Sequence, residues 1–169
     1  EVGQRSILDP GLSCGRCRSC LGGEPSLCPG YAIMGEHAPG TMAELIAAAA
    51  TVNEAGASDG VAGAVMRGIR SHTIMDTLTG VVLNAVGDME SATPYNIWFD
   101  GAWDAPRLDD SAVCKGLADY AGLLAAGPAN KFAIDWPDAA TLFKQGKAAF
   151  FVDASLFGPG YEDAENSLV

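Results

Sequence analysis

Cations and histidines are both scarce in this sequence. Ten Lys and Arg stand against 21 Asp and Glu, a formal net charge of −11 at pH 7. That balance argues against a nucleic-acid surface or an anionic membrane as partner. His37 and His72 are the only histidines, and no Ser or Cys nucleophile stands with either of them. No pair of carboxylates is set apart by its context, so the chain reads as non-enzymatic. No apolar run approaches the roughly 20 residues that span a bilayer, which argues against membrane insertion. No signal-peptide pattern opens the chain. Beginning at Glu1 and stopping at Val169 just past an apolar, strand-like run, it reads as cut at both ends, which leaves the compartment open. No internal repeat or low-complexity tract is present.

What remains is ordinary globular composition, 49% hydrophobic and 18% charged over 169 residues, enough for one domain with a core or two small ones. The strongest chemical signal is Cys14, Cys17, Cys20 and Cys28, spaced C-x2-C-x2-C-x7-C within fifteen residues. Zn²⁺ takes four thiolates in a closed tetrahedron that leaves no position for water or substrate. The spacing therefore points to a structural zinc site. The alternative, two disulfides in an oxidising compartment, has little geometric room, because cysteines two residues apart bridge only in special turns. Cys114 stands apart, in a helical stretch beside Val113, and reads as a small buried apolar residue.

The chain divides near residue 40. Residues 1–40 are rich in Gly, Pro and Cys and poor in helix formers, an irregular lobe with a short strand near Arg5–Leu8 that a metal would have to organise. At Thr41 the pattern changes. Thr41 and Glu44 form a capping box, and Met42, Leu45, Ile46 and Ala49 share one face of a helix running to about Asn53. Val61–Met66 reads as a buried strand, 72–86 as a helix, and 88–110 as a loop with a short strand. Ser111 caps a helix with Val113, Leu117, Tyr120, Ala121 and Leu124 on one face, ended by Gly127-Pro128. Pro137 opens a further helix that buries Leu142 and Phe143 and stops at Gly146. Residues 148–153 form a buried strand. Alternating helices and strands predict α/β architecture.

Two resemblances accompany this division. The first is carried by Gly3-Gln-Arg5, by Asp9-Pro-Gly-Leu-Ser-Cys14 with Cys17, Cys20, Gly23-Glu24 and Cys28-Pro29, and by Gly35-Glu-His with Gly40-Thr41. It resembles the structural-zinc lobe of zinc-containing medium-chain alcohol dehydrogenases, and implies that Cys14, Cys17, Cys20 and Cys28 are zinc ligands. That family's catalytic ligands, in a Cys and a Gly-His-Glu motif, are absent here, as is a Gly-x-Gly-x-x-Gly nucleotide fingerprint. The resemblance implies an oxidoreductase fragment without its catalytic zinc ligands.

The second is carried by Met42-Ala-Glu-Leu-Ile-Ala-Ala-Ala, Gly63-Ala-Val-Met-Arg67-Gly68 with Arg70, Trp98-Phe-Asp100, Gly127-Pro128, and Trp136 through Phe143, Gln145-Gly-Lys-Ala-Ala, Asp153 and Ser155. It resembles the middle of an extracellular solute-binding protein (family 1) of ABC sugar importers. The implied fold is a partial solute-binding lobe beside the irregular zinc lobe. The implied ligand is a sugar or polyol, the implied partner an ABC permease, and the implied location periplasmic or extracellular. If the N-terminal part governs, the location is cytoplasmic. The two resemblances meet at Gly40-Thr-Met-Ala-Glu-Leu45, and the chain reads as a chimera joined there.

A sugar site needs an aromatic face and planar groups for vicinal hydroxyls. Trp136 is the stacking candidate, against packing over the helix start at Pro137. Arg70 is a candidate bidentate donor, against a surface salt bridge. Asp153, at the end of a strand where α/β clefts gather ligands, is a third, and Asp100 with Trp98 a weaker pair that core packing would also explain. His72 reads as a helix-start residue.

Overall fold

A computed structural model describes residues 11–12, 16–24, 27–29, 32–33, 41–86, 97–99, 104–154, 157–161 and 165–168. The expected strand at Arg5–Leu8 and the side chain of Thr41, on which the capping box depends, lie outside the described residues.

In the N-terminal lobe, β1 (Gly11–Leu12) pairs antiparallel with β2 (Ala32–Ile33), and the single-turn helix α1 (Arg18–Leu21) lies between them in sequence. The remainder is built on β3 (Ala62–Val65) and β4 (Ala148–Phe151), paired parallel with Ala62 opposite Ala148 and Val65 opposite Phe151. The helices α2 (Thr41–Gly56), α3 (Ile74–Val86), α4 (Ser111–Ala125) and α5 (Trp136–Lys144) surround that pair, and a short α6 (Gly158–Tyr161) follows β4. Mixed helix and a small parallel sheet make the chain α/β.

The burial pattern explains the layers. Successive strand side chains point to opposite faces, and β3 is buried on both. Ala64 and the following Met66 join Ala49, Val81, Tyr120 and Leu123 in one core, which Met42, Leu45 and Ile46 of α2 flank. Val65 faces the other way, to Ile134, Ala139 and Ala148, with Leu142 and Phe143 beside them. A third cluster, Val82, Ile97 and Val113, lies where α3 meets α4.

Several expectations need correction. The first long helix continues past Asn53 to Gly56, and the second begins at Ile74. The α4 cap is Asp110, whose side chain accepts from the Ala112 N–H, so Ser111 is already inside the helix. Val113, Gly116, Tyr120 and Leu123 form its buried line, while Ala121 and Cys114 are exposed. Cys114 follows Val113 directly, a rotation of about 100° that takes it off the buried face. Leu142 and Phe143 are half-buried, and β4 buries fully only Ala148. The connection before α4 holds a Phe99–Pro106 antiparallel bridge. Among the described residues no helix is long and apolar enough to cross a membrane.

Candidate metal centre and ligand cleft

The cysteines come together through one helical turn and one reversal. Cys17 is the N-cap of α1 with extended backbone, and Cys20 sits inside that turn three residues on. Residues three apart on a helix share a face. The turn closes through Leu21 N–H to Cys17 O at 2.9 Å, and Gly23 at φ 81° reverses the chain in a conformation that suits glycine. The Leu27 N–H bonds back to Glu24 O, and Cys28 returns to the other two sulfurs.

Cys17, Cys20 and Cys28 Sγ lie within 4.8 Å of one another, with Cys17 Sγ 3.4 Å from Cys20 Sγ. Four thiolates on a zinc ion at 2.3 Å stand about 3.8 Å apart, so the spacing fits. Burial supplies a second reason. Leu21 and Leu27 are 77% and 64% exposed, and among the described residues 16–29 Cys28 alone is buried. A segment with so little apolar burial draws its order from another source, and metal ligation is one that suits three convergent sulfurs. These three cysteines can hold a metal ion, and an all-thiolate set suits zinc. Cys14, the fourth expected ligand, lies outside the described residues.

The second site stands at the C-terminal ends of β3 and β4. Arg67, just past β3, is 4% exposed. Its Nη2 donates to both oxygens of Asp153, at 2.7 and 2.9 Å, and its Nη1 to Asp76 Oδ2 and Thr73 O. Burial works against the Arg67 charge, but the Asp153 and Asp76 carboxylates outweigh it and hold the guanidinium above its ordinary pKa. The Tyr120 hydroxyl donates to Arg67 O at 2.7 Å and lies 3.0 Å from Thr77 Oγ1, and burial pushes its pKa up. Thr73 also donates to Asp135, which tips α5. Asp135 and Asp138 form a reciprocal capping box there. The Thr73 hydroxyl and then the Trp136 N–H hold the Asp135 carboxyl below the ordinary range.

Trp136 opens α5 half-buried, its ring centroid 5.1 Å from that of Phe157. Both line a concavity of about 450 Å³ with Pro137, Lys144, Gly160 and Tyr161. Trp136 Nε1 and Tyr161 Oη are buried without a hydrogen-bond partner. Burial, followed by the Asp153 charge, raises the Tyr161 pKa.

The sequence-predicted ligand residues therefore separate. Trp136 lines the concavity. Asp153, expected to face a ligand, faces Arg67, with side chains only 5% exposed on both partners. Arg70 and His72 are exposed on the loop before α3, and Asp100 lies outside the described residues. Trp98 packs against the Val82 cluster, its Nε1 3.4 Å from Thr79 Oγ1. Arg67 and Asp135 were not singled out in the sequence. Asp135-Trp-Pro-Asp138 is legible as an N-cap with proline at the helix start, whereas nothing local ties Arg67 to a residue 86 positions on.

The chain is 43% identical over 44 residues to the starvation-sensing protein RspB of Escherichia coli K12, and to the L-threonine 3-dehydrogenases of Stenotrophomonas maltophilia and Xanthomonas campestris. Each match takes in 26% of this chain and 13% of the relative. No known family profile matches the chain, and no solved structure does. These partial likenesses support the dehydrogenase resemblance and give the solute-binding one no support. Two of the three relatives named here are dehydrogenases, and the chain spans only 13% of their length.

Proposed function

We propose that this chain carries the structural zinc lobe of a zinc-containing alcohol-dehydrogenase-type oxidoreductase, with Cys14, Cys17, Cys20 and Cys28 as ligands. One observation carries the reading. Three sulfurs converge at zinc-site spacing in a segment with almost no apolar burial of its own. The role of such a closed site is to fold the lobe, because all four positions are protein thiolates and none is left for substrate. No Gly-His-Glu or Gly-x-Gly-x-x-Gly stands among these 169 residues, so they supply the lobe and not the redox chemistry. Loading the purified chain with Co²⁺ tests the reading. Intense visible absorption with thiolate-to-metal charge transfer marks a tetrahedral thiolate site. The weak spectrum of aquated or octahedral cobalt would refute it.

A second reading rests on a different observation. Arg67, Asp153, Thr73 and Asp135 converge at the C-terminal ends of two parallel strands, with Trp136 and Phe157 forming an aromatic wall alongside. Ligands of α/β proteins bind at that edge. On this reading residues 41–169 belong to a sugar- or polyol-binding protein that closes over its ligand without covalent chemistry, serves an ABC permease, and works in the periplasm or outside the cell. Trp136 stacks on the sugar, and exposed Arg70 reaches its hydroxyls. Calorimetric titration with monosaccharides and polyols checks it. Heat that disappears in Trp136→Ala supports the reading, and no heat with any of them rejects it for this chain.

A further inference from the structure

We infer that the cysteine centre is a redox-released metal site, in which peroxide joins Cys17 to Cys20 and expels the metal. This rests on the zinc reading above and adds how that site is regulated. Three observations carry it. The Cys17 and Cys20 sulfurs are 3.4 Å apart, so they need close by little more than an ångström to reach a disulfide length of about 2.05 Å. Both are half-buried, open in part to a small oxidant, whereas Cys28 is only 6% exposed. Cys17 lies at the extended N-cap and Cys20 inside the following turn. That is one of the special turns in which cysteines two residues apart can bridge.

The chemistry balances with hydrogen peroxide as the oxidant. One thiolate of the pair attacks a peroxide oxygen, the O–O bond breaks, and hydroxide leaves, giving a sulfenic acid. The second thiolate attacks that sulfur, the S–O bond breaks, and a second hydroxide leaves as the S–S bond forms. Two electrons pass from the sulfurs to peroxide. The metal loses two of its four thiolates, and those remaining, Cys28 among them, do not hold it. Because the metal organises the lobe, its release loosens the segment around Cys28. A thiol reductant with added zinc reverses the sequence.

The test uses the full chain, its zinc first quantified by mass spectrometry, then treated with graded hydrogen peroxide. Released zinc is followed with a chromogenic chelator, and the bridges are mapped by differential alkylation and peptide mass spectrometry. The expected result is loss of the full zinc complement in step with a Cys17–Cys20 bridge, with Cys28 still alkylatable. Dithiothreitol plus zinc restores the metal. Cys114→Ser, which removes the exposed thiol on α4, leaves the release curve unchanged. Zinc retained after Cys114 has been oxidised would overturn the inference, as would a first bridge that includes Cys14 or Cys28. A chain that carries no zinc before oxidation overturns the metal reading itself, whereas a loaded chain that keeps its zinc overturns only the switch.

Discussion

Arg67 holds both carboxylate oxygens of Asp153, at 2.7 and 2.9 Å, across the ends of two parallel strands 86 positions apart in sequence. Both side chains are 5% exposed, so neither charge has water to fall back on. Removing one partner of such a pair costs about 3–5 kcal/mol, whereas replacing both with apolar residues of similar volume is often near neutral. Asp153→Asn should therefore lower the urea midpoint sharply, and Arg67→Met with Asp153→Leu should recover much of the loss. The recovery will be incomplete, because Arg67 also holds Asp76 and Thr73 O. Urea melts of Asp153→Asn, of Arg67→Met and Asp153→Leu singly, and of the double variant check this. Equal, additive losses would contradict it.

Close packing of α3 on α4 gives a second pair of expectations. A Cβ at Gly116 would stand 2.5 Å from Val82 Cα, whereas one at Gly80 meets nothing within 4 Å. Gly116→Ala should force the two helices apart and cost about 1–3 kcal/mol. Gly80→Ala, on the exposed side of α3, should instead add about 1 kcal/mol through helix propensity. Thermal melts of the two variants should shift in opposite directions.

Asp135 links stability to pH. Its folded-state pKa is depressed, first by the Thr73 hydroxyl and then by the Trp136 N–H. Its ionised form therefore stabilises the fold above the unfolded carboxylate value of about 3.9. That contribution fades as pH falls through the lower folded value. Asn keeps the capping geometry but cannot titrate. Asp135→Asn should flatten the acid limb of the stability curve, with Thr73→Val moving it the same way. An acid limb identical to that of the unaltered chain would contradict the role.

The four longer helices, α2 to α5, were legible because their evidence is local, whereas the single-turn α1 and α6 were not. The apolar spacing of Met42, Leu45 and Ile46 and the proline at Pro137 sit within a few residues of the elements they define. β3 and β4 were legible as apolar runs, whereas the two-residue β1 and β2 were not; the parallel pairing joins Ala62 to Ala148, and no short-range pattern encodes that. The same distance hid the site. Asp153 looked open to a ligand because its partner, Arg67, lies just past the end of the other strand. Cys114 was misplaced by a single position, since a helix turns one residue inward and its neighbour out. The convergence of Cys17, Cys20 and Cys28 was legible from their spacing, because the ligands of a metal site of this kind lie close together in the chain.

Metal content tests the central claim most directly. The purified chain, analysed by inductively coupled plasma mass spectrometry, should carry close to one zinc ion per chain. Cys17→Ser should lose it, while Cys114→Ser keeps it. A metal-free chain, or one whose zinc survives the loss of Cys17, would contradict the account.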